Sequence, residues 1–130
     1  NLTQEVRFLG KQDAIEELLA ICDLFLIPSE SESFGLAALE AMACEVPVIS
    51  SNSGGLPEVN VHGVTGFLSN PGNVDEMAKF AIELLSDEDM LQKFRTNALA
   101  QAKRFDIHNI LPHYEAYYEA VLERSVIQVE

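Results

Sequence analysis

The alternation of short apolar runs with helical patterns is the feature that most constrains the fold of this chain. The segments DLFLIP, at residues 23–28, and PVIS, at residues 47–50, each have the composition of a short buried strand. Between them, residues 33–44 are rich in Ala and Leu, which favours a helix. A strand, a helix and a second strand in this order imply a right-handed crossover and a parallel sheet covered by helices on both faces. The predicted fold class is therefore α/β.

The same alternation continues on both sides of this unit. The segment EVRFL, at residues 5–9, is predicted as an earlier strand, and an apolar stripe from Ile15 to Cys22 predicts the helix that follows it. One more strand is predicted near Gly66–Leu68, after a segment rich in Gly and Pro. A complete doubly wound domain has about six strands, and only four are predicted here. We therefore expect a partial, Rossmann-like parallel sheet that is incomplete on its N-terminal side.

From residue 73 onward the pattern is helical, which predicts a helical C-terminal tail. Asn73 and Ser86 are predicted N-caps, since acidic residues follow each of them. Pro112 predicts a kink or a new helix start, because Pro has no amide hydrogen to donate inside a helix. The apolar stripes expected to face the core are formed by Val74, Met77, Ala81, Leu84, Leu85, Leu91, Phe94, Ala98 and Ala102.

The charge of the chain argues against several kinds of partner. The 130 residues include 8 basic and 21 acidic side chains, which gives a net charge of −13 at pH 7. Such a chain repels the phosphate backbone of nucleic acids and the surface of anionic membranes. We therefore expect no nucleic acid and no membrane as a partner.

The sequence carries no signal of membrane insertion, secretion or metal binding. No apolar run approaches the roughly 20 residues of a membrane span, and the N-terminal residues lack the apolar core of a signal peptide. Cys22 and Cys44 lack the close spacing that metal or redox sites need, so we expect them to be small core residues in a reducing compartment. The predictions are a soluble, cytoplasmic protein without a metal site.

The segment ESESFGLAALEAM, at residues 30–42, is the candidate ligand site. It follows a predicted strand, and ligands of open parallel sheets bind beyond the carboxyl ends of the strands. Gly35 would let the backbone approach a ligand closely. The amides of Phe34, Gly35 and Leu36 are predicted to lie in the first turn of a helix that begins at Ser33, where unpaired donors and the helix dipole favour a phosphate.

Two acidic residues flank this predicted anion site. Glu32 and Glu40 are eight positions apart, which on a helix corresponds to on the order of 12 Å. This separation is too wide for both carboxylates to act on one bond, because paired glycosidase carboxylates lie roughly 5 to 9.5 Å apart. A ligand with hydroxyls at both ends and negative charge in the middle, such as a nucleotide sugar, fits the arrangement. The alternative is that Glu32 only complements the helix dipole and Glu40 lies on a solvated helix face.

The segments ESFGLAALEAMACEVPVISSNSGGLPEV and GVTGFL resemble the C-terminal donor-binding domain of retaining glycosyltransferases of the GT-B fold, of the family-four type. Residues 6–44 are most similar to the bacterial members that transfer N-acetylglucosamine from UDP-N-acetylglucosamine to malate. The resemblance implies an N-terminally truncated Rossmann-like donor-binding domain over residues 1–105. It also implies a C-terminal helix, residues 106–130, that would cross to an N-terminal domain that is missing here.

The resemblance assigns roles to the residues of the candidate site. Glu32 and Glu40 form the E-x7-E pair, in which Glu32 binds hydroxyls of the transferred sugar and Glu40 holds the ribose. The amides of Phe34, Gly35 and Leu36 would meet the sugar and the diphosphate. Glu32 is interpreted as a positioning and charge-stabilising group, and the choice between front-face attack and a covalent route stays open.

The resemblance also indicates that the turn formed by Gly10, Lys11 and Gln12 approaches the nucleobase through its backbone. Lys11 is equally well explained as a solvated loop cation. The family requires no metal, so no cofactor is expected beyond the nucleotide-sugar substrate. In the segment GGLPE, the residues Gly54, Gly55, Pro57 and Glu58 either approach the donor sugar or form a tight turn that opens a short helix.

Some expected parts of such an enzyme do not occur in the sequence. In this family the acceptor site, a catalytic His and the basic pair that neutralises the diphosphate belong to upstream segments. We therefore expect the isolated chain to bind nucleotide weakly and to be inactive. Glu45 stands where relatives commonly have Gly, so a left-handed backbone there would cost about 1 kcal/mol. His62, His108 and His113 are assigned no chemistry.

The C-terminal helix and the overall function each leave an alternative open. The predicted apolar face of that helix could mediate homo-oligomer formation in the isolated chain. The chain could also be a non-catalytic α/β nucleotide-sugar-binding or assembly module. A flavodoxin-like regulatory domain is disfavoured, because the predicted strand end LIPSE offers no Asp. The predicted apolar face of the C-terminal helix is formed by Tyr114, Tyr117, Tyr118, Val121 and Leu122.

Overall fold

The computed structural model describes residues 2–127 and confirms the α/β class. Its sheet has three parallel strands, β1 (Phe25–Ile27), β2 (Val48–Ser51) and β3 (Gly66–Ser69), in the order β1-β2-β3. All three strands were predicted. Because β2 lies in the middle and all four of its residues are buried, it is the strand around which the domain is organised.

Helices connect the strands and continue the chain after β3. One helix precedes β1, one connects β1 to β2, a short one follows β2, and three follow β3. The second of these helices packs against the fifth. Within residues 2–127 the six helices are α1 (Ile15–Leu19), α2 (Leu36–Ala43), α3 (Leu56–Val59), α4 (Val74–Leu85), α5 (Glu88–Arg104) and α6 (Ile107–Ile127).

Two apolar clusters lie on opposite faces of the sheet. Val48 belongs to one cluster and its neighbour Ile49 to the other, as expected when successive side chains of a strand point to opposite faces. Burial of each large apolar side chain in these clusters contributes roughly 1.5 to 3 kcal/mol. The first cluster includes Leu19, Ile27, Met42, Val46, Leu56, Val59 and Ala98, and the second includes Phe67, Met77, Leu84, Leu91 and Phe94.

The predicted strand at residues 5–9 is wrong. Residues 6–10 form no regular secondary structure, and the side chain of Phe8 is 97% exposed. A strand pairs with a neighbour through hydrogen bonds, and residues 5–9 pair with none of the three described strands, although one edge of β1 is open. The described part of the chain therefore has three strands rather than four.

The predicted helix caps are confirmed at one position and wrong at the other. Asn73 caps α4, because its Oδ1 accepts a hydrogen bond from the Glu76 amide at 3.2 Å. Ser86 instead ends α4, and the following residue, Asp87, caps α5 by accepting from the Met90 amide at 2.9 Å. Both Ser and Asp are good N-caps, so composition does not separate adjacent candidates.

The predicted new helix start near Pro112 is also wrong. The break comes earlier, between Arg104 at the end of α5 and the beginning of α6. Asp106 provides the cap there, since its Oδ1 accepts from the His108 amide at 2.9 Å, and Pro112 lies inside α6. The C-terminal helix reaches the end of the described residues, and residues 128–130 of the predicted segment lie outside them. The division at residues 105 and 106 into two domains stays a prediction.

The predicted apolar stripes are narrower in the structure than in the sequence. Met77 and Leu84 of α4 are buried, but Val74 and Leu85 are exposed, which makes those two assignments wrong. A helix of this length presents only one stripe to the sheet, and residues at its ends lie beyond the edge of the contact.

The end of α2 confirms the interpretation of Glu45. Glu45 has a φ of 61° and is the one non-Gly residue with positive φ in the described part of the chain. The Val46 amide donates to the Ala41 carbonyl at 3.0 Å and the Glu45 amide to the Met42 carbonyl at 3.1 Å. This is a Schellman motif, whose left-handed position is normally occupied by Gly.

We therefore predict that Glu45→Gly raises the melting temperature of the chain. Relief of the left-handed strain is worth about 1 kcal/mol, which corresponds to roughly 3 to 5 °C for a domain of this size. Differential scanning calorimetry measures the shift. Glu45→Ala is the matched control, because it removes the charge but keeps the Cβ atom. An equal gain from both variants, or no gain from Gly, would contradict the role of the backbone angle.

Candidate functional site

The candidate site lies in the loop between β1 and α2, at the carboxyl end of the sheet. The structure begins α2 at Leu36 rather than at Ser33, and Gly35 is the N-cap with a φ of 96°. A left-handed N-cap needs Gly, and this angle delays the start of the helix. Of the three predicted ligand-binding amides, only that of Leu36 lies in the first helical turn, while Phe34 precedes the cap.

Four successive amides at this helix start have no hydrogen-bond acceptor among the described residues: those of Phe34, Gly35, Leu36 and Ala37. The next amide, of Ala38, donates to the Gly35 carbonyl at 3.0 Å. Phe34 and Leu36 are 36% and 66% exposed, whereas Gly35 between them is buried. Unpaired donors at the positive end of a helix form an anion-binding site. We refer to residues 34–37 as the amide cluster.

Glu32 lies in the loop just before the amide cluster and is partly buried. Its Oε1 accepts a hydrogen bond from the Ser33 amide at 3.0 Å, and its backbone carbonyl accepts one from the Gly55 amide at 3.3 Å. A carboxylate has about four acceptor positions, so the group keeps the capacity to bind ligand hydroxyls.

Glu40 lies on α2, exposed to solvent, and lines a groove of about 290 Å³ between α2 and the end of α5. Lys103, Phe105 and Asp106 line the same groove. Phe105 also contacts Phe34 of the amide cluster edge to face, with ring centroids 5.9 Å apart. The groove with Glu40 therefore adjoins the amide cluster.

The spacing estimate made for the two acids has to be corrected. Glu32 lies outside the helix, so helical rise applies only from Leu36 to Glu40, about 6 Å. The remaining separation is set by the loop and by its contacts with the rest of the protein.

The segment after β2 supports the loop that carries Glu32. A Cβ atom on Gly54 would lie 1.5 Å from the Glu32 carbonyl oxygen, and one on Gly55 would lie 2.8 Å from the Phe34 Cα. Only Gly allows two backbones to approach this closely. Of the two interpretations left open for this Gly pair, the structure supports a structural role, and an approach to the sugar stays a prediction.

We predict that Gly54→Ala destabilises the chain by at least about 2 kcal/mol, because the methyl group would overlap backbone atoms and Gly54 has a φ of 54°. Chemical denaturation measures the loss. Gly63→Ala is the matched control, since Gly63 has a φ of 73° but nothing within 4 Å of its Cβ position. Similar losses in both variants would show that backbone angle, rather than the contact with Glu32, sets the requirement.

The predicted nucleobase turn is exposed and is not joined to the acids. Gly10 has a φ of 66°, the Gln12 side chain donates to the Leu9 carbonyl at 2.6 Å, and Lys11 forms a solvent-exposed ion pair with Asp13 at 3.8 Å. Within the described residues, no hydrogen bond or ion pair connects this turn to Glu32, Glu40 or the amide cluster. Its contact with a nucleobase stays a prediction.

The two cysteines and the three histidines provide no metal centre in the described residues. No group of three or more His, Cys, Asp or Glu residues there is arranged to hold a metal ion. Cys22 and Cys44 are free thiols that are partly buried against the first apolar cluster. Across residues 2–127, none of the helices combines the length and the apolar content of a membrane-spanning segment.

Sequence reasoning missed three residues that shape the site. Ser51 and Ser53 donate hydrogen bonds to the carbonyl of Ser29, which belongs to the loop before the amide cluster. The run SSNS after a predicted strand was the available signal, because Ser side chains commonly bond to nearby backbone. Phe105, which contacts Phe34, lies in no motif.

Comparison with known proteins identifies the family. The profile of the family Glycosyl transferases group 1 matches residues 1–101. N-acetyl-alpha-D-glucosaminyl L-malate synthase of Bacillus anthracis is 46% identical over 123 residues, which are 94% of this chain and 32% of that protein. The chain belongs to the glycosyl transferases group 1 family, and the predicted resemblance to GT-B glycosyltransferases is confirmed.

Solved structures agree with this assignment. Anabaena HepE, solved in complex with UDP and glucose, is 36% identical with a TM-score of 0.84 over 92% of this chain and 33% of that protein. Sucrose-phosphate synthase from Thermosynechococcus elongatus is 28% identical with a TM-score of 0.86 over 95% of this chain and 32% of that protein. The fold is that of the Rossmann-like C-terminal domain of GT-B enzymes. The chain spans about a third of the length of the relatives it matches.

Proposed function

We propose that this chain is the donor-binding part of a retaining glycosyltransferase that transfers N-acetylglucosamine from a UDP-sugar to an acceptor such as malate. The observation that carries the proposal is the amide cluster at the start of α2, with Glu32 on one side and Glu40 in the adjoining groove. The similarity to the malate synthase of Bacillus anthracis supports the choice of sugar and acceptor. The structure of HepE with UDP supports a uridine nucleotide.

In this proposal the amide cluster binds the diphosphate. The helix start supplies about half a unit of positive charge and directed N–H donors. These donors stabilise the negative charge that develops on the leaving diphosphate as the bond to the sugar breaks. Within the described residues, no hydrogen bond or ion pair joins a Lys or Arg to residues 32–37, so the amides act there without a bound cation.

Glu32 and Glu40 serve the two ends of the donor. Glu32, fixed by the Gly55 and Ser33 amides, accepts hydrogen bonds from hydroxyls of the transferred sugar. Glu40, in its groove beside Phe105, accepts hydrogen bonds from the ribose. Glu32 positions the sugar and stabilises charge without the need for a covalent bond, and no metal ion takes part.

The remaining parts of the enzyme lie with the rest of the full-length protein. We propose that an N-terminal domain provides the acceptor site and covers the exposed face of α6, where the Tyr117 side chain is 67% exposed. The isolated chain is then inactive, and association of two copies through this face is the alternative. A cytoplasmic location fits the proposal and stays a prediction.

Substitution of the two acids in the full-length protein tests the function. Glu32→Gln should reduce kcat roughly 100-fold, because the sugar loses a charged hydrogen-bond acceptor in the transition state. Glu40→Gln should raise the donor KM roughly 10-fold with a smaller effect on kcat, since the ribose does not change during transfer. Both quantities are measured by release of UDP.

Glu83→Gln is the matched control, because Glu83 is an exposed residue of α4 that lines a different groove. Its activity should equal that of the wild type. Unchanged transfer in both site variants would contradict the proposal. Binding of a UDP-sugar without any transfer in the wild type would favour a non-catalytic binding module.

Binding of UDP to the isolated chain tests the role of the amide cluster directly. We expect a dissociation constant in the millimolar range, about −4 kcal/mol, because the amides act without a neutralising cation in a chain of net charge −13. In ¹⁵N-labelled protein, the amide signals of residues 34–37 should shift most on titration. Sub-micromolar binding measured by calorimetry would contradict the expected lack of positive charge.

A further inference from the structure

We propose that Ser51 and Ser53 are positioning residues, which hold the loop carrying Glu32 in its binding geometry through the carbonyl of Ser29. The consequence for donor binding rests on the proposed function. The holding of the loop itself does not, because it concerns contacts within the chain.

The two hydroxyls converge on the point where the chain leaves β1. Ser51 is the last residue of β2 and is 1% exposed, and its Oγ donates to the Ser29 carbonyl and lies 3.4 Å from the Ile27 carbonyl. Ser53 Oγ donates to the same Ser29 carbonyl at 3.1 Å and lies 3.3 Å from Ser51 Oγ. One backbone oxygen of the loop therefore receives two side-chain donors from the end of the central strand.

The serine contacts and the Gly pair act at successive points of the same loop. Ser29 lies three positions before Glu32, whose carbonyl accepts from the Gly55 amide. The loop is thus fixed at Ser29 by hydroxyl groups and at Glu32 by backbone contact. Loss of the first attachment would free the residues between them, and a displacement near 1 Å at a positioning carboxylate is enough to reduce catalysis substantially.

A third serine offers a matched control for this arrangement. Ser69 ends the neighbouring strand β3 and is 2% exposed, so its burial matches that of Ser51. Its hydroxyl has no hydrogen-bond partner among the residues that the structure describes. Ser69→Ala therefore removes a buried strand-end hydroxyl without breaking a hydrogen bond among the described residues, and it is the matched control.

The first measurement is independent of any ligand. Backbone order parameters are determined by ¹⁵N relaxation for the wild-type chain, the double variant Ser51→Ala/Ser53→Ala and the control Ser69→Ala. In the double variant, residues 30–34 should fall from rigid values of about 0.85 to below about 0.6, while β3 stays unchanged. Equal order parameters in all three proteins would overturn the proposal.

The second measurement separates positioning from simple stabilisation. In the full-length protein, the double variant should lower kcat/KM for UDP-N-acetylglucosamine roughly 10-fold, chiefly through kcat as for Glu32→Gln, and leave the KM for the acceptor unchanged. Ser69→Ala should show wild-type kinetics. Ser53→Thr keeps a hydroxyl at a partly exposed position. It should therefore retain most of the transfer activity that Ser53→Ala loses. A lower melting temperature with an unchanged kcat/KM for the donor would overturn the positioning role.

The two proposals fail in different ways. If the wild-type protein neither binds nor transfers a UDP-sugar, the proposed function is wrong, and the order parameters alone decide whether the serines hold the loop. If the wild type transfers the sugar and the double variant does so with the same kcat/KM for the donor, the proposed function stands and the positioning role is wrong.

Discussion

The close approach of two backbones, Gly54–Gly55 against Glu32–Phe34, is the contact on which the candidate site depends. It joins the loop after the central strand to the loop after the edge strand. Because β2 is buried on both faces, its C-terminal end is the most firmly fixed point available to the loop. This contact ties the position of Glu32 and the start of α2 to the core, although Glu32 and Leu36 are not core residues themselves.

The electrostatics of the site follow from a combination that is unusual for an anion-binding surface. Carboxylates flank the amide cluster, and the chain as a whole is strongly acidic. A free phosphate would be repelled by these carboxylates, whereas a phosphate ester bearing hydroxyls at both ends offers each of them a donor. Directed amide donors also retain their geometry in the absence of ligand, so the site needs little reorganisation when charge develops. The arrangement therefore selects for the hydroxyl groups as much as for the phosphates.

The features that the sequence could predict are local ones. The alternation of apolar runs identified β1, β2 and β3. The Gly that relatives commonly have at position 45 raised the question of a left-handed backbone there, which Glu45 adopts. The errors arise where distant residues decide. Residues 5–9 have a strand-like composition but no neighbouring strand among the described residues, and the contacts of Ser51 and Ser53 with Ser29 join residues more than 20 positions apart. No periodicity within a short window records such contacts.

The contact between Phe34 and Phe105 has a practical consequence for recombining members of this family. Phe105 belongs to the junction between α5 and α6, yet its ring packs beside the amide cluster. A chimera that exchanges the C-terminal helix should therefore be joined after this residue, so that the aromatic pair comes from one parent. A crossover placed before Phe105 would combine the amide cluster of one parent with the residue 105 side chain of the other.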